Sequence, residues 1–189
     1  MKQIRHSVFE TNSSSSHSIT LLKDFDFSDE WKTEHKWEID NLVTGSKISD
    51  YEVWDGDSYY DKEDNSYHVI GGAFDWQWFV LKDFNAKMDY VYTLFKEYWE
   101  YDNYGYYAAL IDVVRKRYPD YKKTLTDIIE NHFKNDNINF IFEKENGDWW
   151  RIDHSAEYAG MILFNEKWSL EEILTNDDIV ILGGNDNEC

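Results

Sequence analysis

Cysteine is nearly absent: the 189-residue chain has one, Cys189. No disulfide can form within one chain, which fits a reducing compartment and leaves folding to the core. Proline is also down to one, Pro119, so no proline-rich linker divides the chain. No apolar run approaches the roughly 20 residues that span a bilayer, and "MKQIRHSVFE" holds none long enough for a secretory signal. Positive charge is scarce too. Nineteen Lys and Arg face 38 Asp and Glu, for a net charge of −19. Such a field opposes nucleic acid and anionic membranes, both polyanions, and attracts basic partners.

Aromatic residues are abundant instead, with 9 Trp, 14 Tyr and 11 Phe. Large rings fill a core with few residues and anchor interfaces. A charged chain this rich in rings is a folded one. At this length about 70% of the unfolded surface is buried on folding, so neither disulfide nor metal is needed.

Hydrophobic spacing organises the chain. Ile4, His6 and Val8 alternate with polar residues, which predicts a strand, and Ser18–Leu22 predicts a second. Between them lies "FETNSSSSHS", too long for a tight turn. From Asp24 to Asp64 fourteen acidic residues face four lysines, interspersed with Trp and Tyr. This reads as an acidic, aromatic-rich insertion, at about 24–64, in a single domain spanning 1–189. Apolar residues at three- and four-residue steps predict an amphipathic helix over Asn85–Tyr101. A second helix is expected over Tyr107–Tyr118, with Leu110, Ile111, Val113 and Val114 inward, closed by Pro119. A third is expected over Thr124–Phe133, with Thr124 as N-cap and Asp127 at its third position. Ile138–Glu143 predicts a strand, and "NGD" at Asn146–Asp148 a turn to a partner at "WWRID". Ser169 with Glu172 predicts a capped short helix, and Asp178–Gly184 a buried strand. The fold class expected is α+β: a mixed or antiparallel sheet including the N- and C-terminal strands, packed with three to four helices.

Three segments hold chemistry-bearing groups. Ser13, Ser14, Ser15 and Ser16 with His17 form a polar stretch whose hydroxyls and amides could cradle an anion, His17 serving as acid or base. The alternative is a solvated loop whose serines bond their own backbone. Asp153 and His154 could work as an oriented acid–base pair, although strand neighbours point to opposite faces. Asn12, Asp153, Asn185 and Asp186 complete a possible pocket. "DGDSYYDKED" begins like an EF-hand but has Tyr60 where glycine is required and Ser66 where glutamate is required, so no metal is expected, and no cofactor. Arg115, Lys116, Arg117, Lys122 and Lys123 bracket Pro119; a helix C-terminus accounts for them ahead of a phosphate site.

"RHSVFETNSSSSHS" resembles the opening of a group of phage and mobile-element proteins of gut bacteria that begin with an F-E-T-N-S-S-S-S-H-S signature. Gly72-Ala73-Phe74-Asp75-Trp76, Ile152-Asp153-His154 and Gly184-Asn185-Asp186-Asn187 match further short elements of that group. The resemblance implies one fold spanning both ends of the chain, an ordered Ser segment packed near His154 and Asn185, and no particular activity.

Three functions follow as expectations. The first is an acidic inhibitor or decoy, of anti-CRISPR or anti-restriction type, binding a basic nucleic-acid-handling protein such as a nuclease in the host cytoplasm. Its face would be Asp24, Asp26, Asp29, Glu30, Asp55, Asp57 and Asp61, with Trp31, Trp37 and Trp54 as anchors. Neither membrane nor direct nucleic-acid binding is expected. The second is a hydrolase or transferase acting on a phosphate- or nucleotide-bearing substrate through Ser13–Ser16, His17 and His154. A virion or scaffolding role is a third.

Overall fold

The computed structural model describes residues 15–21, 51–53, 56–74, 78–100, 108–143, 152, 162–163, 165 and 167–185. The class is α+β. The described strands are β1 (Ser15–Leu21), β2 (Tyr51–Val53), β3 (Tyr59–Asp61), β4 (Ser66–Val69), β5 (Trp78–Leu81), β6 (Asn139–Phe142) and β7 (Ile179–Asn185). The described helices are α1 (Phe84–Glu100), α2 (Ala108–Arg117), α3 (Tyr121–Phe133) and α4 (Leu170–Thr175).

The strands form two sheets. One has the order β1-β7-β5-β2, the other β3-β4-β6. β1 and β7 run antiparallel, from Ser15 opposite Asn185 to Leu21 opposite Ile179. The strand expected at Ser18–Leu22 therefore shares a sheet with the C-terminal strand, but it begins at Ser15 instead of Ser18. Backbone pairing with β7 makes Ser15, Ser16 and His17 ladder residues, overriding serine's preference for turns. The acidic stretch supplies strands to both sheets: β2 pairs parallel with β5, and β3 antiparallel with β4. The expected strand at Ile4–Val8 and the "NGD" turn lie outside the described residues. Of "WWRID", Ile152 is described; it bridges Phe74 in parallel.

α1 begins where Asp83 caps it, its Oδ1 accepting from Ala86 N at 2.9 Å. Apolar spacing reads α1 as amphipathic, but it is buried all round from Ala86 to Tyr98. The reason is its position against both sheets. Tyr90 packs on Phe79 of β5 (ring centroids 5.8 Å apart), and Tyr92 packs on Phe142 of β6 (5.6 Å). Aromatic rings extend the core through α3, where Phe95 stacks on Tyr121 at 5.2 Å.

Two helix details differ from the sequence reading. Ile111 and Val114 of α2 are buried one turn apart, whereas Val113 lies off that stripe and is 51% exposed. The side chain of Leu110 lies outside the described residues. α3 starts a turn early, at Tyr121, because Asp120 after Pro119 is the N-cap and accepts from Lys123 N. Thr124 Oγ1 instead donates to Asp120 O, and Asp127 pairs with Lys123 at 2.7 Å. α4 carries the expected capping box of Ser169 and Glu172. The bond from Ser169 N, with one from its hydroxyl, lowers the Glu172 pKa.

Candidate functional site

Asn85, Asp89, Thr93 and Glu97 lie four residues apart and so share one stripe of α1. Each binds a different part of the chain. Asn85 Oδ1 accepts from the Tyr67 hydroxyl at 2.7 Å. Thr93 Oγ1 accepts from Gly72 N at 2.9 Å, and Glu97 Oε1 accepts from Ile152 N at 2.6 Å. Asp89 does most. Its carboxylate accepts from Asp57 N (2.6 Å), Ser58 N (3.2 Å), Gly71 N (3.0 Å) and the Ser58 hydroxyl. Burial pushes Asp89 up to about 6, and the bonds from Ser58, Gly71 and Asp57 hold it below what burial alone would give. Beside it, Gly56 has φ +79°, and a Cβ there would lie 2.5 Å from Ala86 N. Only glycine fits so close to the first turn of α1.

Elsewhere on α1, buried Lys87 donates from Nζ to Asn176 O at 2.9 Å and Ile179 O at 3.1 Å, tying the end of α4 to the start of β7. Burial lowers its pKa to about 8, against the opposing pull of Asp177 and Asp83. Asp89, Thr93, Glu97 and Lys87 do not stand out as site residues in the sequence. The available signal was the four-residue spacing of polar groups inside an apolar helix.

The stripe fixes the end of the acidic stretch, which becomes the β3–β4 hairpin. Glu63 and Asp64 are exposed in its turn, Asp57 is exposed two residues before β3, and Tyr59 is 44% exposed. Tyr60 packs on Phe133 of α3, with ring centroids 4.8 Å apart. Asn65, left-handed at φ 55°, accepts from the Tyr60 hydroxyl and from Asn135 Nδ2, and donates to Asn137 O. The hairpin is thereby pinned to the C-terminal end of α3.

On the hairpin's other face Tyr59 stacks on His68 at 4.5 Å. His68 Nε2 is 3.1 Å from Ser66 Oγ, and Nδ1 is 3.4 Å from Glu143 Oε1. This has the connectivity of a Ser-His-acid triad. Ser66, however, is fully buried, and its hydroxyl donates to Asp64. With its single proton directed at Asp64, Ser66 has none to give to His68. The chain Asp64–Ser66–His68–Glu143 fastens the turn to the end of β6 and presents no nucleophile to solvent.

Among the residues expected to form sites, Ser15, Ser16 and His17 face Asn185, Gly184 and Gly183 in the β1–β7 register. Asp57 lies two residues before β3, its amide on Asp89, and Asp61 ends β3, its Oδ1 accepting from Glu63 N at 2.8 Å. Asn12, Ser13, Ser14, Asp24, Asp26, Asp29, Glu30, Trp31, Trp37, Trp54, Asp55, Asp153, His154 and Asp186 lie outside the described residues.

The basic cluster divides in two. Arg115, Lys116 and Arg117 close α2, and Arg115 donates to Tyr98 O (3.1 Å) and Trp99 O (3.2 Å) near the end of α1. Lys122 and Lys123 stand instead in the first turn of α3, where the helix dipole disfavours cations. A helix C-terminus therefore accounts for the first three alone.

No described helix is long and apolar enough to cross a membrane. Among the described residues no group of three or more His, Cys, Asp and Glu is placed to hold a metal ion. Comparison with family models, curated proteins and solved structures gives no match.

Proposed function

We propose that the protein is an acidic decoy, of anti-CRISPR or anti-restriction type, that occupies the cationic channel of a nucleic-acid-handling protein in a bacterial host. The observation that carries this reading is the β3–β4 hairpin. Acidic side chains in a chain of net charge −19 are held there on a braced support beside an exposed ring. Duplex DNA presents one charge per roughly 1.7 Å of its axis, and fixed carboxylates compete for the same Lys and Arg side chains. Tyr59 adds an anchor of the kind that dominates interface energies. Preorganisation matters because a flexible acidic tail would lose much of this gain to ordering. The phage-like N-terminal signature agrees with such a role.

The test is capture from bacterial lysate on immobilised protein, followed by elution with duplex DNA. Basic nucleic-acid-binding proteins should be retained at low salt, released by DNA, and lost with D57N/E63Q/D64N. No retention at low salt, or retention indifferent to both DNA and the amide variant, would overturn the reading.

A second reading is an enzyme working through Ser13–Ser16, His17 and His154. The register that sets Ser15 opposite Asn185 supports it. H17A and H154A should then each abolish turnover of a phosphate ester while leaving the circular dichroism unchanged.

A further inference from the structure

Exposed large hydrophobic residues are few among the described residues: Tyr59 and Val113. Each stands beside a charged patch, and the patches have opposite sign. Tyr59 opens β3, with exposed Asp57 two residues before it and exposed Glu63 and Asp64, next to exposed Lys62, in the β3–β4 turn. Val113 lies on α2 one turn before exposed Lys116 and Arg117 and next to exposed Asp112, so cations outnumber acids two to one around it on that helix. Lys122 stands just across Pro119.

The cations of this corner are not consumed internally. Lys116, Arg117 and Lys122 make no ion pair among the described residues, although the chain carries two acids for every base. Arg117 lies over the Tyr118 ring and Lys122 over Phe142, at 5.6 and 5.3 Å from the centroids. Nor does helix-end stabilisation explain Lys122, which sits at the wrong end of α3 for the dipole.

α3 separates the two patches. The basic corner is at its first turn, and Tyr60, Asn65 and Asn135 hold the acidic hairpin at its last. Thirteen residues of helix at 1.5 Å each make about 20 Å. One copy thus carries a cationic face with an apolar residue at one end and an anionic face with an apolar ring at the other.

We propose that copies of this protein associate head to tail, the acidic β3–β4 hairpin of one seated on the basic α2–α3 corner of the next. The contact is heterologous, so it propagates into a ring or a filament. It does not rest on the decoy reading, but it uses the same hairpin, so a partner and a second copy exclude each other. Net charge opposes association only while the Debye length exceeds the patch separation. At physiological ionic strength that length is about 8 Å, against about 30 Å at 0.01 M. Association is therefore strongest at intermediate salt and weaker at both extremes.

Light scattering on size-exclusion fractions, over protein concentration and salt, tests this directly. The wild-type mass should exceed that of the monomer at physiological salt and rise with concentration. K116E/R117E/K122E and D57K/E63K/D64K should each be monomeric, and mixing them should restore association, because each supplies the face the other lacks. Y59S and V113S change no charge and should weaken association about tenfold, the loss expected for one apolar contact. They serve where a charge reversal unfolds the chain, as monitored by circular dichroism. A wild type that stays monomeric throughout, reversals without effect, a mixture that stays monomeric, or serine variants that associate as the wild type does would each overturn the proposal.

Discussion

Ser58 and Asp89, 31 residues apart, are joined twice: the Ser58 amide and hydroxyl both donate to the Asp89 carboxylate. The same carboxylate takes the amides of Asp57 and Gly71, so one buried side chain holds two loops against α1. D89A leaves all four donors without their acceptor. Each buried donor left unpaired costs about 1–3 kcal/mol, and solvent reaching the opened loops offsets part of it. Urea unfolding followed by tryptophan fluorescence should show a loss of at least about 3 kcal/mol. D89N keeps one acceptor oxygen and should lose less.

The pH dependence of stability separates Asp89 from Lys87. Unfolded, Asp89 titrates near 3.8; folded, burial raises it to about 6. Between these values the folded chain keeps a proton that the unfolded chain has released. The stability this group contributes is therefore greatest below about pH 4 and declines as pH rises to about 6, a change on the order of 3 kcal/mol. Lys87 behaves oppositely: its pKa falls from 10.5 to about 8, so its contribution rises as pH climbs through that window. Wild type minus D89N should show the acid slope and wild type minus K87M the alkaline one. Parallel pH profiles in both comparisons would refute these assignments.

Gly56 can be tested by a single methyl group. At φ +79° an L side chain is strained, and here its Cβ would also lie 2.6 Å from the carbonyl carbon of Asn85. Backbone cannot yield as a flexible side chain does. G56A should destabilise by about 2 kcal/mol or more, beyond the strain alone. Amide exchange should rise at Asp57, Ser58 and Gly71, the groups that Asp89 holds.

These relationships show which parts of the chain were legible in its sequence. α1, α2, α4 and β7 carry local signals: three- and four-residue spacing, Pro119, the Ser169–Glu172 box and the run Ile179–Ile181. Their existence follows from nearest neighbours. Asp89 is different, because what makes it central is the arrival of residues 57, 58 and 71 from elsewhere. Ser15–His17 read as loop because serine favours local bonds; a ladder with Gly183–Asn185 decides otherwise. Val113 read as core because it is apolar, although its turn of helix points it outward. The candidate face was legible only as charge. The hairpin that carries Asp61 depends on Asn135, which meets Tyr60 and Asn65 across 75 and 70 residues.

Arg115 offers a test of how the end of α1 is held. Its guanidinium donates to the carbonyls of Tyr98 and Trp99 and lies 5.8 Å from the Trp99 ring. The planar guanidinium sets two N–H groups on neighbouring carbonyls while lying against a ring, a geometry that the ammonium of lysine does not reproduce. R115A should cost about 1–2 kcal/mol, and R115K should recover less than half of that. Amide exchange should quicken in the last turn of α1 and remain unchanged at Lys87 and Asp89.

The orientation of the acidic hairpin depends on Asn65, whose two roles can be separated. Its φ of 55° is one that asparagine tolerates and alanine resists. Its amide also joins Tyr60, Asn135 and Asn137. N65G keeps the left-handed turn and loses the bonds; N65D keeps the acceptor and loses the donation to Asn137; N65A loses both turn and bonds. Stability should fall in the order N65D, N65G, N65A, with N65A lower than wild type by about 2–3 kcal/mol. If the hairpin is the face that a cationic partner reads, affinity should fall in the same order, since none of the three removes a surface carboxylate. An N65A protein that binds as tightly as the wild type would show that the carboxylates act without being held in place.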